Sequence, residues 1–228
     1  MKSTYGLIFD VDGLIANTEP LNARVTIRVL EEMFGVAGLK PEDFAAGIGR
    51  GAEAYTRVGA KAKGLDLTDE QATVAAAMRE RYLVESIRKE GVPAFPGVLE
   101  LMDAALDRPD LRLGIATSAS RELAQAMLEA TGVPYRRMVV VNGGQVKKRK
   151  PDPEIFLLAA KEMQIPPDRC VVFEDAPSGV QAAKAAGAKC IAVTNSTFAE
   201  ALAGADLIVG SLEWVDLETI CRLVEEAA

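Results

Sequence analysis

The sequence predicts an α/β protein: a doubly wound parallel sheet with an all-helical domain inserted after its first strand. Three observations predict it. Short, continuously apolar runs alternate with longer segments of helical period, the pattern of strands covered on both faces by helices. Residues 20–89 break that rhythm, with no strand pattern and at least two long helical ones. The length, 228 residues at 49% hydrophobic and 26% charged, suits one substantial core with an insertion.

Taken in order, the first strand is read at residues 6–9. The insert follows: residues 21–34 carry Val25, Ile27, Val29, Leu30 and Met33 at helical spacing, and residues 68–88 are alanine-rich and charged. The chain returns near Ala94-Phe95-Pro96-Gly97. Strands are then expected at residues 111–116, 138–141, 170–173, 189–193 and 207–209, each short and rich in Val, Ile or Leu. Helices fall between and after them, at 122–131, 154–163, 179–186 and 217–226. In Pro151-Asp152-Pro153-Glu154 the aspartate suits an N-cap, Pro153 the first helical position and Glu154 the positive end of the dipole. Gly132 and Gly187 read as C-terminal stops. The division expected is 1–16 with 95–228 as the core, and 17–94 as the helical domain.

Composition removes whole classes of chemistry. There is no histidine, so imidazole triads, His-ligated zinc and HExxH helices are excluded. A formal charge of −7 speaks against a nucleic-acid partner, since phosphate backbones demand concentrated Lys and Arg. Only Lys147-Lys148-Arg149-Lys150 is densely basic, and it reads as a solvated loop. Cys170, Cys190 and Cys221 are odd in number and far apart, as thiols of a reducing compartment are. Two aspartates arrive before any long apolar run, so neither a signal peptide nor a membrane span is expected at the N-terminus, and the default location is the cytoplasm.

The chemistry sits at strand ends. Asp10 and Asp12, in Asp10-Val11-Asp12-Gly13, share one side of an extended chain, roughly 6.6 Å apart at about 3.3 Å per residue. Glu174-Asp175 follows a second apolar strand. Either pair alone reads equally as turn-formers or helix caps. Both together, at the carboxyl ends where a parallel sheet binds its ligands, describe a site. Like charges about 4 Å apart repel by roughly 4 kcal/mol at an effective dielectric near 20, so the cluster calls for a cation, and oxygen-only ligation points to Mg²⁺. Thr117-Ser118-Ala119-Ser120, at a strand end and helix start, offers hydroxyls and N–H groups to a phosphoryl oxygen; Lys150 offers a positive charge.

These four elements, in this order, resemble the motifs of the haloacid dehalogenase superfamily, and within it the branch of β-phosphoglucomutase and small sugar-phosphate phosphatases. The helical insert falls where that branch carries its cap over a Rossmann-like core. The resemblance implies Asp10 as nucleophile forming an aspartyl-phosphate and Asp12 as acid, then base. It implies Mg²⁺ held by Asp10, the Asp12 carbonyl and Asp175, with Glu174 ligating directly or through water. Ser118 and Lys150 would bind the phosphoryl oxygens, with Thr117, Ala119, Thr18 and Arg50 as further substrate contacts, and Glu53 or Arg79 as other cap contacts. Retention of Asp12 disfavours carbon–halogen cleavage. Arg50, in Gly47-Ile48-Gly49-Arg50-Gly51, cannot form the Schiff base of the phosphonate-cleaving members, though Lys61 and Lys63 lie near. Asn22 stands where mutase-like chains carry histidine. The function expected is therefore a Mg²⁺-dependent phosphatase of small phosphorylated metabolites, sugar phosphates foremost, as a monomer or else a dimer, with a sugar phosphomutase as the alternative. A phosphonate hydrolase or a non-catalytic phosphometabolite-binding module stands further off.

Overall fold

The computed structural model describes residues 4–48 and 51–225. Six parallel strands form one sheet: β1 (Tyr5–Phe9), β2 (Leu111–Ala116), β3 (Val139–Val141), β4 (Cys170–Glu174), β5 (Lys189–Val193) and β6 (Leu207–Val209), in the order β3-β2-β1-β4-β5-β6. This is the doubly wound α/β architecture, and the strand order reverses between β1 and β4. Those two central strands are buried at every residue, whereas the edge strands β3 and β6 are only partly covered. Phe9 and Phe173, directly opposite in the β1–β4 register, stack with centroids 4.4 Å apart.

The first unit comprises Met1–Asn17 and Val92–Ala228; the second is Thr18–Gly91. The division thus falls at Asn17 and Val92 rather than at 16 and 95. The physical reason is a short antiparallel crossing inside the first unit: Ala16 bridges Ala94, Asn17 N–H donates to Pro93 O (3.1 Å) and Phe95 N–H to Ile15 O (2.9 Å).

In the second unit α1 (Glu19–Phe34), α2 (Ala52–Ala62) and α3 (Asp69–Glu90) accompany a 3₁₀ segment, Pro41–Gly47. Thr68 starts α3 through a capping box with Gln71, and Gly35, at φ 67°, stops α1. Phe44, Leu30, Ala60 and Ala72 form a separate apolar cluster there.

The first unit adds α4 (Val98–Leu106), α5 (Arg121–Thr131), α6 (Glu154–Met163), α7 (Pro177–Ala185) and α8 (Leu217–Glu225). Gly132 and Gly187, at φ 75° and 82°, take the left-handed conformation expected of helix stops. The start of α6 differs from expectation by one residue: Pro153 is the cap, and Asp152 Oδ1 instead accepts the Glu154 N–H at 3.1 Å. Glu154 also accepts the Lys147 and Lys148 N–H groups at 3.0 and 2.9 Å, so the basic tetrapeptide is a loop tied to the next helix.

Candidate active site

Strand register builds the site. Asp10 is the first residue beyond β1, and its N–H donates to Phe173 O at 3.1 Å. Glu174 closes β4, and Asp175 follows it. Adjacency of β1 and β4 therefore places Asp10, Glu174 and Asp175 together at the reversal of strand order, where ligands of such sheets bind.

Lys150 joins them from the loop before α6. Its Nζ lies 2.5 Å from Asp10 Oδ1 and 2.6 Å from Glu174 Oε1, with the side chain 8% exposed, and it sits 4.7 Å from the centroid of the Phe156 ring. Burial opposes the charge of Lys150, but the carboxylates of Asp10 and Glu174 outweigh it and raise its pKa above the ordinary lysine value. Burial pushes Asp10 up to about 7; Lys150 opposes that rise, while Glu174 and Asp12 add to it. Asp175 is raised well above the ordinary carboxylate range by burial, then by Glu174 and Asp10.

The donor set can be tested against a divalent ion. Three buried carboxylates, Asp10, Glu174 and Asp175, gather here, and the one ammonium group pairs with the first two, leaving an excess of negative charge that a dication offsets. Among the described residues, no three acidic or cysteine side chains form a ready cage. Asp10 Oδ2 and Asp175 Oδ1, however, have no hydrogen-bond donor among the described residues. Two carboxylates supplemented by carbonyl and water are a set that suits Mg²⁺, which keeps much of its hydration.

Glu174 is held from both of its oxygens. Its Oε1 meets Lys150 while Oε2 accepts the N–H groups of Asp175 and Ala176 at 2.9 and 3.0 Å, so both oxygens are committed. Gly179, in the first turn of α7, makes this possible: a Cβ there would lie 1.8 Å from Glu174 Oε1.

Asp12, unlike the other acids, is exposed. Ser118 follows β2 and is half-buried; its hydroxyl makes no hydrogen bond among the described residues. Its neighbours are tied within the loop: Thr117 is buried and its hydroxyl accepts the Ala119 N–H at 3.1 Å. The Ala119 carbonyl accepts the Gly143 N–H at 2.8 Å. Thr18, in the second unit, is buried and accepts Asn22 Nδ2 at 3.1 Å. Arg50 lies outside the described residues.

Two residues of the site escaped the sequence reading. Ser196 donates its hydroxyl to Asp175 Oδ2, and Asn195 Nδ2 donates to Gly13 O at 2.9 Å. Both lie just beyond β5, so the strand-end rule that singled out Asp10 also applies to them.

Fold and site together define a doubly wound α/β protein with a carboxylate–lysine centre at its strand ends. A sequence model of the haloacid dehalogenase-like hydrolases matches residues 7–193, and the chain belongs to that family. It is 35% identical over 220 residues to the chloroplastic protein SUPPRESSOR OF QUENCHING 1 of Arabidopsis thaliana, covering 93% of this chain but 20% of that protein. It is 32% identical over 210 residues to hexitol phosphatase A of Escherichia coli (strain K12), covering 92% of each. The crystal structure of CbbY from Rhodobacter sphaeroides in complex with phosphate superposes with a TM-score of 0.80 at 28% identity, over 95% of this chain and 98% of that one.

Proposed function

We propose that the protein is a Mg²⁺-dependent phosphatase of small phosphorylated metabolites, sugar phosphates foremost, working through an aspartyl-phosphate. The observation that carries this reading is the buried Asp10–Lys150–Glu174 arrangement at the β1–β4 strand ends. The phosphatase among the relatives and the phosphate bound by CbbY agree with it.

Asp10 attacks phosphorus through a carboxylate oxygen, and the ester oxygen leaves with a proton from Asp12. Water then attacks the aspartyl-phosphate, Asp12 takes its proton, and inorganic phosphate and free Asp10 are released. Lys150 neutralises the phosphoryl oxygens, and Glu174 holds Lys150 in place. The Ser118 hydroxyl donates to a further phosphoryl oxygen. Asp10, Asp175 and the Asp12 carbonyl would hold the metal, which supplies charge that keeps Asp10 ionised and offsets the phosphoryl charge.

Hydrolysis is favoured over group return to a second hydroxyl by Asn22. Its amide is buried and spent on Thr18 and on Arg79, whose Nη2 lies 2.5 Å from Asn22 Oδ1, and an amide carries no titratable proton. The helical unit, including Arg50, is assigned substrate selectivity. Among the described residues no helix is long and apolar enough to cross a membrane. The proposal places the enzyme in the cytoplasm as a monomer, with its three cysteines free.

Asp10→Asn tests the assignment. Turnover of a panel of sugar phosphates should vanish while the circular dichroism spectrum is retained. Wild-type rates in that variant would show the nucleophile to be another group.

A further inference from the structure

We infer that Ser196 is a positioning residue that sets the orientation of Asp175 toward the metal, and that the loop after β5 locks the site's two acidic loops together. This rests on the metal-dependent reading above. β5 pairs with β4 in register Glu174↔Ala192, which brings residues 194–196 beside Asp175. The loop is itself anchored, since Thr194 N–H donates to Val209 O on β6 at 3.0 Å.

From this anchored base, two consecutive side chains reach two different loops. Asn195 holds the Gly13 carbonyl, in the turn that follows Asp12; Ser196 holds Asp175 Oδ2. The turn leaves no slack: Gly13 has φ 87°, and a Cβ there would lie 2.0 Å from Asp175 Oδ2 and 2.6 Å from Ser196 Oγ. Gly13, Asp175 and Ser196 therefore meet at one contact point.

Asp175 needs such a hold. It is 3% exposed and is repelled by both Glu174 and Asp10, so its side chain left alone would rotate to relieve that repulsion. The Ser196 hydroxyl donates to Oδ2, which pins that oxygen and leaves Oδ1 without a donor among the described residues. Partners that orient metal-ligating carboxylates in this way typically govern about 10- to 100-fold in metal affinity.

The test is Mn²⁺ binding to the full chain, followed by the free-ion electron paramagnetic resonance signal, for wild type, Ser196→Ala and Ser196→Thr. Ser196→Ala should weaken Mn²⁺ binding about 10- to 100-fold while the melting temperature of the metal-free protein shifts little. Ser196→Thr, which keeps the hydroxyl, should recover most of the affinity. Under turnover, the Mg²⁺ activation constant should rise in Ser196→Ala with substrate KM at saturating Mg²⁺ unchanged. Equal Mn²⁺ affinity in Ser196→Ala and wild type overturns the inference, as does a loss in Ser196→Thr as large as that in Ser196→Ala. Failure of the wild type to bind Mn²⁺ removes the metal reading, and this inference with it, whereas tight binding by both wild type and Ser196→Ala removes the inference alone.

Discussion

Asp10 carries its proton to about pH 7, well above the 3.8 of an ordinary aspartate, because burial outweighs the help it receives from Lys150. The folded state thus binds more protons than the unfolded chain between about pH 4 and pH 7, and stability drains away as pH rises through that window. A bound dication reverses the effect, since it favours the charged form. Mg²⁺ should therefore raise the melting temperature by several degrees at pH 8 and by little at pH 5, measured by calorimetry. Equal shifts at both pH values would mean that Asp10 does not sense the ion. Gly179 allows a sharper test at the same scale. Alanine in a helix gains about 1 kcal/mol over glycine, but here its Cβ would overlap Glu174 Oε1. Overpacking costs about 1–3 kcal/mol, and a displaced Glu174 releases Lys150. Gly179→Ala should lower both thermal stability and kcat, the latter at least tenfold, and unchanged kinetics would show that Glu174 need not hold Lys150.

Among the elements, β5 matters because its C-terminal loop reaches the site, and Asp206 secures its N-terminal end. Asp206 Oδ2 accepts the Cys190 N–H at 2.8 Å and meets Lys184 at 2.6 Å, while Oδ1 lies 3.4 Å from Lys189. Burial raises its pKa, but Lys184 and the Cys190 amide more than offset this and hold it below the ordinary aspartate value. A depressed carboxylate stabilises the fold above its unfolded pKa, and that stability is lost as pH falls through the folded one. Asp206→Asn should cost about 1 kcal/mol at neutral pH, allowing for solvent screening of its lysine pairs, and the gap from wild type should close below about pH 4 in urea titrations. A gap independent of pH would assign the loss to packing. Two helices, α2 and α4, were not foreseen in the sequence. In α4, Val98–Leu106, apolar residues crowd a short segment, and length is what separates a buried helix from a strand pattern. In α2 the start is a glycine, Gly51, without a side-chain cap, so the usual signal was missing.

At the scale of the whole molecule, the helical unit has its own core. Phe44 is fully buried there, stacked 4.9 Å from Tyr55, and Gly59 leaves the room its ring fills. Phe44→Ala should cost about 3–5 kcal/mol within that unit. Amide exchange should quicken in α1, α2 and α3 while β1 and β4 keep their protection; uniform loss of protection would show the two units to unfold as one. Most of the architecture was legible because strands buried on both faces must be apolar throughout, and the Val-, Ile- and Leu-rich runs of β1, β2, β4 and β5 say so locally. Asp10 and Glu174-Asp175 stood out for a related reason: charge at the end of a buried strand is costly unless it is paired. The sequence by itself determined which groups were available, namely carboxylates, hydroxyls and lysine with no imidazole, and which ends of which strands carried them. Only the tertiary structure decided that Glu174 serves Lys150, that the Ala119 amide is spent on Thr117, and that Ser196 holds Asp175. Those roles are set by strand order and register, which bring residues far apart in the chain within hydrogen-bond distance, and no local pattern encodes such a distance.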